Sequence, residues 1–184
     1  SAGQIVSEPG YLEAMRALTR EFGILLIFDE VVTARLSLGG AQAHYGVIPD
    51  LASFGKIIGG GLPIGAFGGR ADIMKLYDPR EKIMYHSGTF NGNAISMAAG
   101  VASMEAFDAA AVERLNRMGG RFADGLRACI ARLGLRLQVN GVGSLYNLIF
   151  SPGRVTSYRD MATSHESLNE LLFLSLLEKG VFNA

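Results

Sequence analysis

The sequence predicts an α/β fold, a mostly parallel sheet followed by part of a small α+β domain, on three observations. A continuous apolar run, Ile24 to Phe28, ends abruptly in Asp29-Glu30, which reads as a strand covered by helices on both faces. Helical periodicity stands on either side of the strand-like runs in the first 110 residues. After that the order becomes helix–strand–strand–helix, the pattern of a separate, smaller α+β unit beginning near residue 115.

The elements follow in order. Leu12, Met15, Leu18, Thr19 and Phe22 recur at helical spacing over 9–22, with Pro9 suited to an early helical position and Gly23 to the stop. Leu51 to Phe54 and Ile64 to Phe67 are short strand candidates, the second bounded by glycines. Ala94 to Phe107 is an Ala- and Met-rich helix. Val112 to Leu133 is a long amphipathic helix with Leu115, Met118, Phe122, Leu126 and Ile130 along one side. Leu135 to Val139 and Leu145 to Phe150 read as strands separated by Gly141-Val142-Gly143. Residues 151–163 read as a loop, and a last helix runs from about His165 to Lys179.

Composition narrows the function. With 17 basic and 17 acidic residues the chain lacks the charge excess of a nucleic-acid or anionic-membrane binder. No apolar run reaches the length of a membrane span, and no basic-then-apolar export signal opens the chain; a cytoplasmic location is expected. Cys129 is alone, so no internal disulfide is possible, and His44, His86 and His165 have no metal-ligand spacing. No metal is expected. Both ends read as cut from something larger: the chain opens SAGQIVSEPG and stops just after a helical segment.

Two side chains stand out chemically. Asp29, at the carboxyl end of a buried strand, is placed where open α/β sheets bind ligands, or else it is a helix cap or a surface acid. Lys56 is followed by Ile57-Ile58 and three glycines, apolar surroundings that favour a reactive free-base amine; a lysine after a strand is otherwise solvent-facing. The glycines match neither GxxxxGK[ST] nor GxGxxG. Ser87-Gly88-Thr89 offers hydroxyl and backbone donors for a phosphate near a helix start, and Thr89 serves equally well as an ordinary cap. His86 is a site, interface or polar loop residue. Arg35 is placed to meet a substrate carboxylate or to remain in solvent.

Taken together, FDEVVTAR (28–35), GGAQAHYG (39–46), PDLASFGKIIGGGLPIGAFGGR (49–70) and HSGTFNGNAISMAAG (86–100) resemble the class III pyridoxal-phosphate-dependent aminotransferases. The nearest branch holds glutamate-1-semialdehyde aminomutase and the β-amino-acid (β-phenylalanine type) aminotransferases. The resemblance continues through GVGSLYNLIF (141–150) and LLFLSLLEKGVF (171–182). It implies the type I pyridoxal-phosphate-dependent transferase fold, aspartate aminotransferase-like. Residues 1–114 would be the second half of the large domain and 115–184 an incomplete C-terminal small domain.

The same resemblance implies roles. Asp29 would pair with the protonated pyridine nitrogen, and Val31 would pack on the ring face. Lys56 would carry pyridoxal 5′-phosphate as a Schiff base and move the proton. Thr89, with Gly88, would bind the phosphate of the cofactor in a partner subunit, making a homodimer, or a complementary fragment of the same enzyme, part of the site. The implied reaction passes an amino group between an amino acid, β-amino acids included, and a 2-keto acid. Thr33-Ala34-Arg35-Leu36 is nearer the T-S-R-L of the β-amino-acid enzymes than the T-G-F-R of the aminomutases, and HSGTFN leans the same way. Intramolecular transfer of the aminomutase kind stands as an alternative. So does a non-catalytic fragment or interface module, because a detached half would lack a complete pocket.

Overall fold

The computed structural model describes residues 4–182 and divides into two compact units, residues 9–114 and residues 4–8 with 115–182. The first unit is built on a three-stranded sheet in the order β1 (Ile27–Asp29), β2 (Leu51–Gly55), β3 (Gly65–Gly69). β1 and β2 run parallel, joined through a 3-10 turn (Thr33–Leu36) and α2 (Gly40–Tyr45). β3 is antiparallel to β2. Its connection, residues 56–64, is shorter than the roughly dozen residues a parallel crossover requires.

Helix α1 (Tyr11–Glu21) precedes the sheet. It closes with Ile24 N–H on the Thr19 carbonyl (2.7 Å) and Gly23 N–H on Arg20 (3.3 Å), the paired bonds of a Schellman end. The strand after it differs from expectation. β1 is three residues long, and Ile24, Leu25 and Ile27 are 57%, 46% and 59% exposed. The apolar run is therefore not buried on both faces by the described residues. β1 is an edge strand, and its apolar side chains keep the character of a covered strand without the cover.

At the start of β2, away from the strand ends that carry Asp29 and Lys56, a knot of hydrogen bonds gathers on Asp50, which is 8% exposed. Its Oδ2 accepts from Arg16 Nη1 of α1 and from the Leu26 backbone N–H, both at 2.8 Å, and its Oδ1 accepts from Arg70 Nη1 at 3.1 Å. The Leu26 N–H, the Arg16 hydrogen bond and Arg70 outweigh burial and hold the Asp50 carboxyl at about 2, against an ordinary 3.8. A carboxyl depressed on folding contributes stability that is complete above its unfolded value and is lost as pH falls through the folded one. The stability difference between the protein and its Asp50→Asn variant, read from denaturant midpoints, should be flat above about pH 4 and shrink between about pH 4 and 2. A difference unchanged across that window would remove Asp50 from acid stability.

The remaining helices of this unit are short α3 (Ala71–Met74) and α4 (Ala94–Ala106). The long helix α5 (Ala109–Leu133) runs on from the first unit into the second. The second unit pairs β4 (Leu137–Val142) with β5 (Leu145–Phe150) in an antiparallel hairpin and ends in α6 (Glu166–Glu178). Residues 151–163, read as loop, end in a 3-10 helix, Tyr158–Thr163, with a Ser157/Asp160 capping box.

The apolar stripe of α5 is covered only in part: Leu115, Leu126 and Ile130 are half-buried. Ala123 is fully buried while Met118 and Phe122 are 57% and 63% exposed. The hairpin turn comes so close that a Cβ on Gly119 would stand 2.6 Å from the Gly143 carbonyl oxygen. Small residues line the contact, and the larger apolar ones are displaced to its flank. Among the described residues no single helix is long and apolar enough to cross a membrane.

Candidate active site

Parallel pairing sets Asp29, the last residue of β1, opposite Ser53 of β2. Cross-strand partners share a face, so the two side chains meet: Ser53 Oγ donates to Asp29 Oδ1 at 3.1 Å. The Val31 backbone N–H donates to the same oxygen at 3.0 Å. Oδ2 has no hydrogen-bond partner among the described residues. One oxygen is thus fixed and the other presented, on an exposed residue. Asp29 caps no helix in this arrangement.

Three residues beyond Ser53, β2 ends and Lys56 begins a 3-10 turn, Lys56–Gly59. The amine and the carboxylate therefore leave the carboxyl ends of adjacent parallel strands, where open α/β sheets receive ligands. Lys56 has φ +50°. For a residue with a Cβ, left-handed backbone costs about 1–2 kcal/mol. Its amine has no partner among the described residues. Lys56 is exposed, so the described residues do not supply the apolar enclosure expected from Ile57, Ile58 and the glycines. Ile57 and Ile58 are half-buried, with their backbone against α4. Val31 lies over the strand end: a Cβ built on Gly55 would be 3.4 Å from its Cγ1.

The residue beside Asp29 carries a second device. Glu30 is completely buried. It accepts from the N–H groups of Ala41 and Gln42, at 2.9 Å each, and from the Thr33 hydroxyl. It ties the start of α2 to the turn that follows Asp29, while its own N–H extends the parallel ladder to Ser53 O at 2.8 Å. Glu30 and Ser53 were not singled out from the sequence. Glu30 sits in an acidic pair that reads as surface, and the partner of Asp29 depends on strand register.

Among the described residues, no hydrogen bond joins the other predicted residues to Asp29 or Lys56. Thr89 and Gly88 are exposed, in the segment before α4. The cap of α4 is Asn93, whose Oδ1 accepts from Ile95 and Ser96 N–H at 3.1 Å each, so Thr89 is not the cap. Arg35 lies half-buried in the 3-10 turn Thr33–Leu36, with its Nε buried and without a hydrogen-bond partner. His86 packs edge-on against Phe67 (5.2 Å between centroids) and Tyr77 (6.2 Å). It lines a groove of about 530 Å³ with Ile58, Ile64, Asn91, Met97 and Met104; Asp29, Lys56 and Thr89 are not in that lining. Among the described residues, no group of three or more His, Cys, Asp or Glu is placed to hold a metal ion.

Comparison with known proteins matches the chain to one family. A family profile described as Aminotransferase class-III matches residues 1–182. The chain is 44% identical to the glutamate-1-semialdehyde 2,1-aminomutase of Desulforudis audaxviator, over 99% of this chain and 42% of the relative. It also superposes on a β-phenylalanine aminotransferase from Variovorax paradoxus with a TM-score of 0.95 at 42% identity, covering all of this chain and 43% of the other. A transaminase solved with pyridoxal phosphate bound superposes with a TM-score of 0.84 at 32% identity, over 96% of this chain and 41% of the other. The chain thus spans about two-fifths of the length of the relatives it matches.

Proposed function

The chain belongs to the class III aminotransferases, and on that premise we propose that the protein containing it transfers an amino group between an amino acid and a 2-keto acid with pyridoxal 5′-phosphate. The observation that carries this is the pairing at the strand ends: a carboxylate with one oxygen held and one presented, beside an unpaired amine. A pyridinium N–H and an aldehyde are the groups this donor set fits, and a transaminase of the same fold binds that cofactor.

Pyridoxal phosphate supplies, when bound, an aldehyde that condenses with amines and a protonated ring that withdraws electrons from the carbon bearing the nitrogen. Asp29 would accept the ring N–H and favour its charged form, with Ser53 and the Val31 N–H holding the carboxylate in place. Val31 covers one ring face. Lys56 would hold the cofactor through its amine and would serve as the group that moves a proton at the substrate carbon. Gly88 and Thr89, on an exposed segment with Tyr85 and Phe90 91% and 81% exposed, would hold the phosphate of a second copy's cofactor. Arg35 takes a substrate carboxylate.

Amino transfer within one molecule, as in an aminomutase, is a second reading favoured by the 44% identity to a glutamate-1-semialdehyde aminomutase. The same half-reaction serves both. They separate on whether a free keto product accumulates.

Borohydride reduction of the full-length protein with pyridoxal phosphate, followed by peptide mapping, tests the core of the proposal. The adduct should map to Lys56; a saturable adduct elsewhere, or none, would sink it. Asp29→Ala should retain that adduct and lose on the order of 10²-fold in turnover, the scale seen when a charge-stabilising group is removed. An unchanged rate would take Asp29 out of the mechanism.

A further inference from the structure

Lys56 is one of three non-glycine residues with positive φ among those described, and something must hold it there. Immediately before it, Gly55 is extended and forms the last rung of β2 with Gly65. Immediately after it, the turn is gripped by α4. Ser103 Oγ donates to the Ile57 carbonyl at 3.0 Å, across 46 residues of sequence, and Gly60 N–H donates to the same oxygen at 3.3 Å. The helix approaches so closely that a Cβ on Gly100 would stand 2.4 Å from the Ile58 carbonyl oxygen. One on Gly60, itself at φ +58°, would stand 2.3 Å from Ala99 O. The backbone is thus fixed on both sides of residue 56, and the left-handed torsion is left to Lys56.

We infer that Ser103 is a positioning residue: through the Ile57 carbonyl it locks the turn that forces Lys56 into left-handed backbone and aims its amine off the strand end. The consequence for chemistry rests on the reading of Lys56 as the cofactor-bearing lysine. The clamp does not. Ser103 touches neither substrate nor cofactor; it acts one peptide away from the lysine. Gly100 makes the contact possible, because any side chain there would push the turn off the helix.

A double-mutant cycle in the full-length protein tests the clamp without cofactor. Glycine adopts left-handed backbone without a Cβ clash but loses more backbone entropy on folding. Net of that loss, Lys56→Gly should shift the unfolding equilibrium about 3- to 10-fold towards the folded state with Ser103 present. In a Ser103→Ala background the gain should fall below about threefold. Equal gains in the two backgrounds would overturn the inference.

Thr and Val differ at this position mainly in the hydroxyl, so Ser103→Thr and Ser103→Val give a second, shape-matched comparison. With pyridoxal phosphate, Ser103→Thr should keep the extent of borohydride trapping at Lys56 and the wild-type kcat. Ser103→Val should lower kcat several-fold at an amino-donor KM within about twofold. Identical kcat for the two variants would also overturn the positioning role. Failure of the cofactor reading would appear elsewhere, as absence of a Lys56 adduct in the unmodified protein, while the stability cycle still reported on the clamp.

Discussion

Lys56→Ala in the full-length protein should abolish covalent attachment of the cofactor and lower turnover by on the order of 10⁴-fold or more. Proton transfer by a positioned side chain is itself worth roughly 10²–10⁴-fold, and the variant also loses the covalent anchor. The cofactor should remain held non-covalently, because the Asp29 carboxylate and its two donors are untouched. The measurement is turnover alongside borohydride trapping and cofactor retained after dialysis. Full transamination by the variant would end the assignment of Lys56. Loss of all binding would instead show that the lysine serves retention more than chemistry. The exposed, unpaired amine makes a large stability loss on truncation unexpected, so the kinetic result will not be confounded by unfolding.

Glu30→Ala should have the largest effect on stability, about 3–5 kcal/mol. The carboxylate is completely buried and receives two backbone N–H groups and a hydroxyl. Each unsatisfied buried donor costs about 1–3 kcal/mol, and the vacated volume adds to that. Glu30→Gln keeps the volume but turns an amide N–H₂ towards a backbone N–H, so it should recover only part of the loss. Chemical denaturation of the three proteins measures this. A cost below about 1 kcal/mol for Glu30→Ala would mean that water or a neighbour replaces the carboxylate. Thr33, which donates to Glu30, begins the turn after Asp29, so the destabilised variant should also lose activity beyond the fraction unfolded.

Much of this was legible in the residues. The positions of β2, β3 and α4 follow from glycine boundaries and helical periodicity, and Asp29 and Lys56 stand out by their place after apolar runs. What was not legible depends on distance between chain segments. The burial of α5 turns on how closely the β4–β5 turn approaches Gly119, which periodicity does not encode, so within one apolar stripe Leu115, Leu126 and Ile130 are half-buried while Met118 and Phe122 are exposed. Ser53 acquires meaning only from the register that sets it against Asp29. Glu30 looks like a surface acid until the N-terminus of α2 folds onto it. The left-handed torsion of Lys56 has no signature of its own, since the glycines that reveal crowding in the turn lie on either side of it.

The Asp50 knot has a kinetic consequence. Its three ties close over 20, 24 and 34 residues. Loop-closure entropy rises only with the logarithm of length, and chains rich in near contacts fold fast. Arg16, Leu26 and Arg70 can therefore gather on Asp50 early in folding, bringing the Leu51 end of β2 against the segment that leads into β1. The first ladder rungs then follow in order, and the last of them sets Asp29 beside Ser53. We expect substitutions at Asp50 to slow refolding more than they speed unfolding, with the Asp29 carboxylate set in place by an acid at the far end of the same strands.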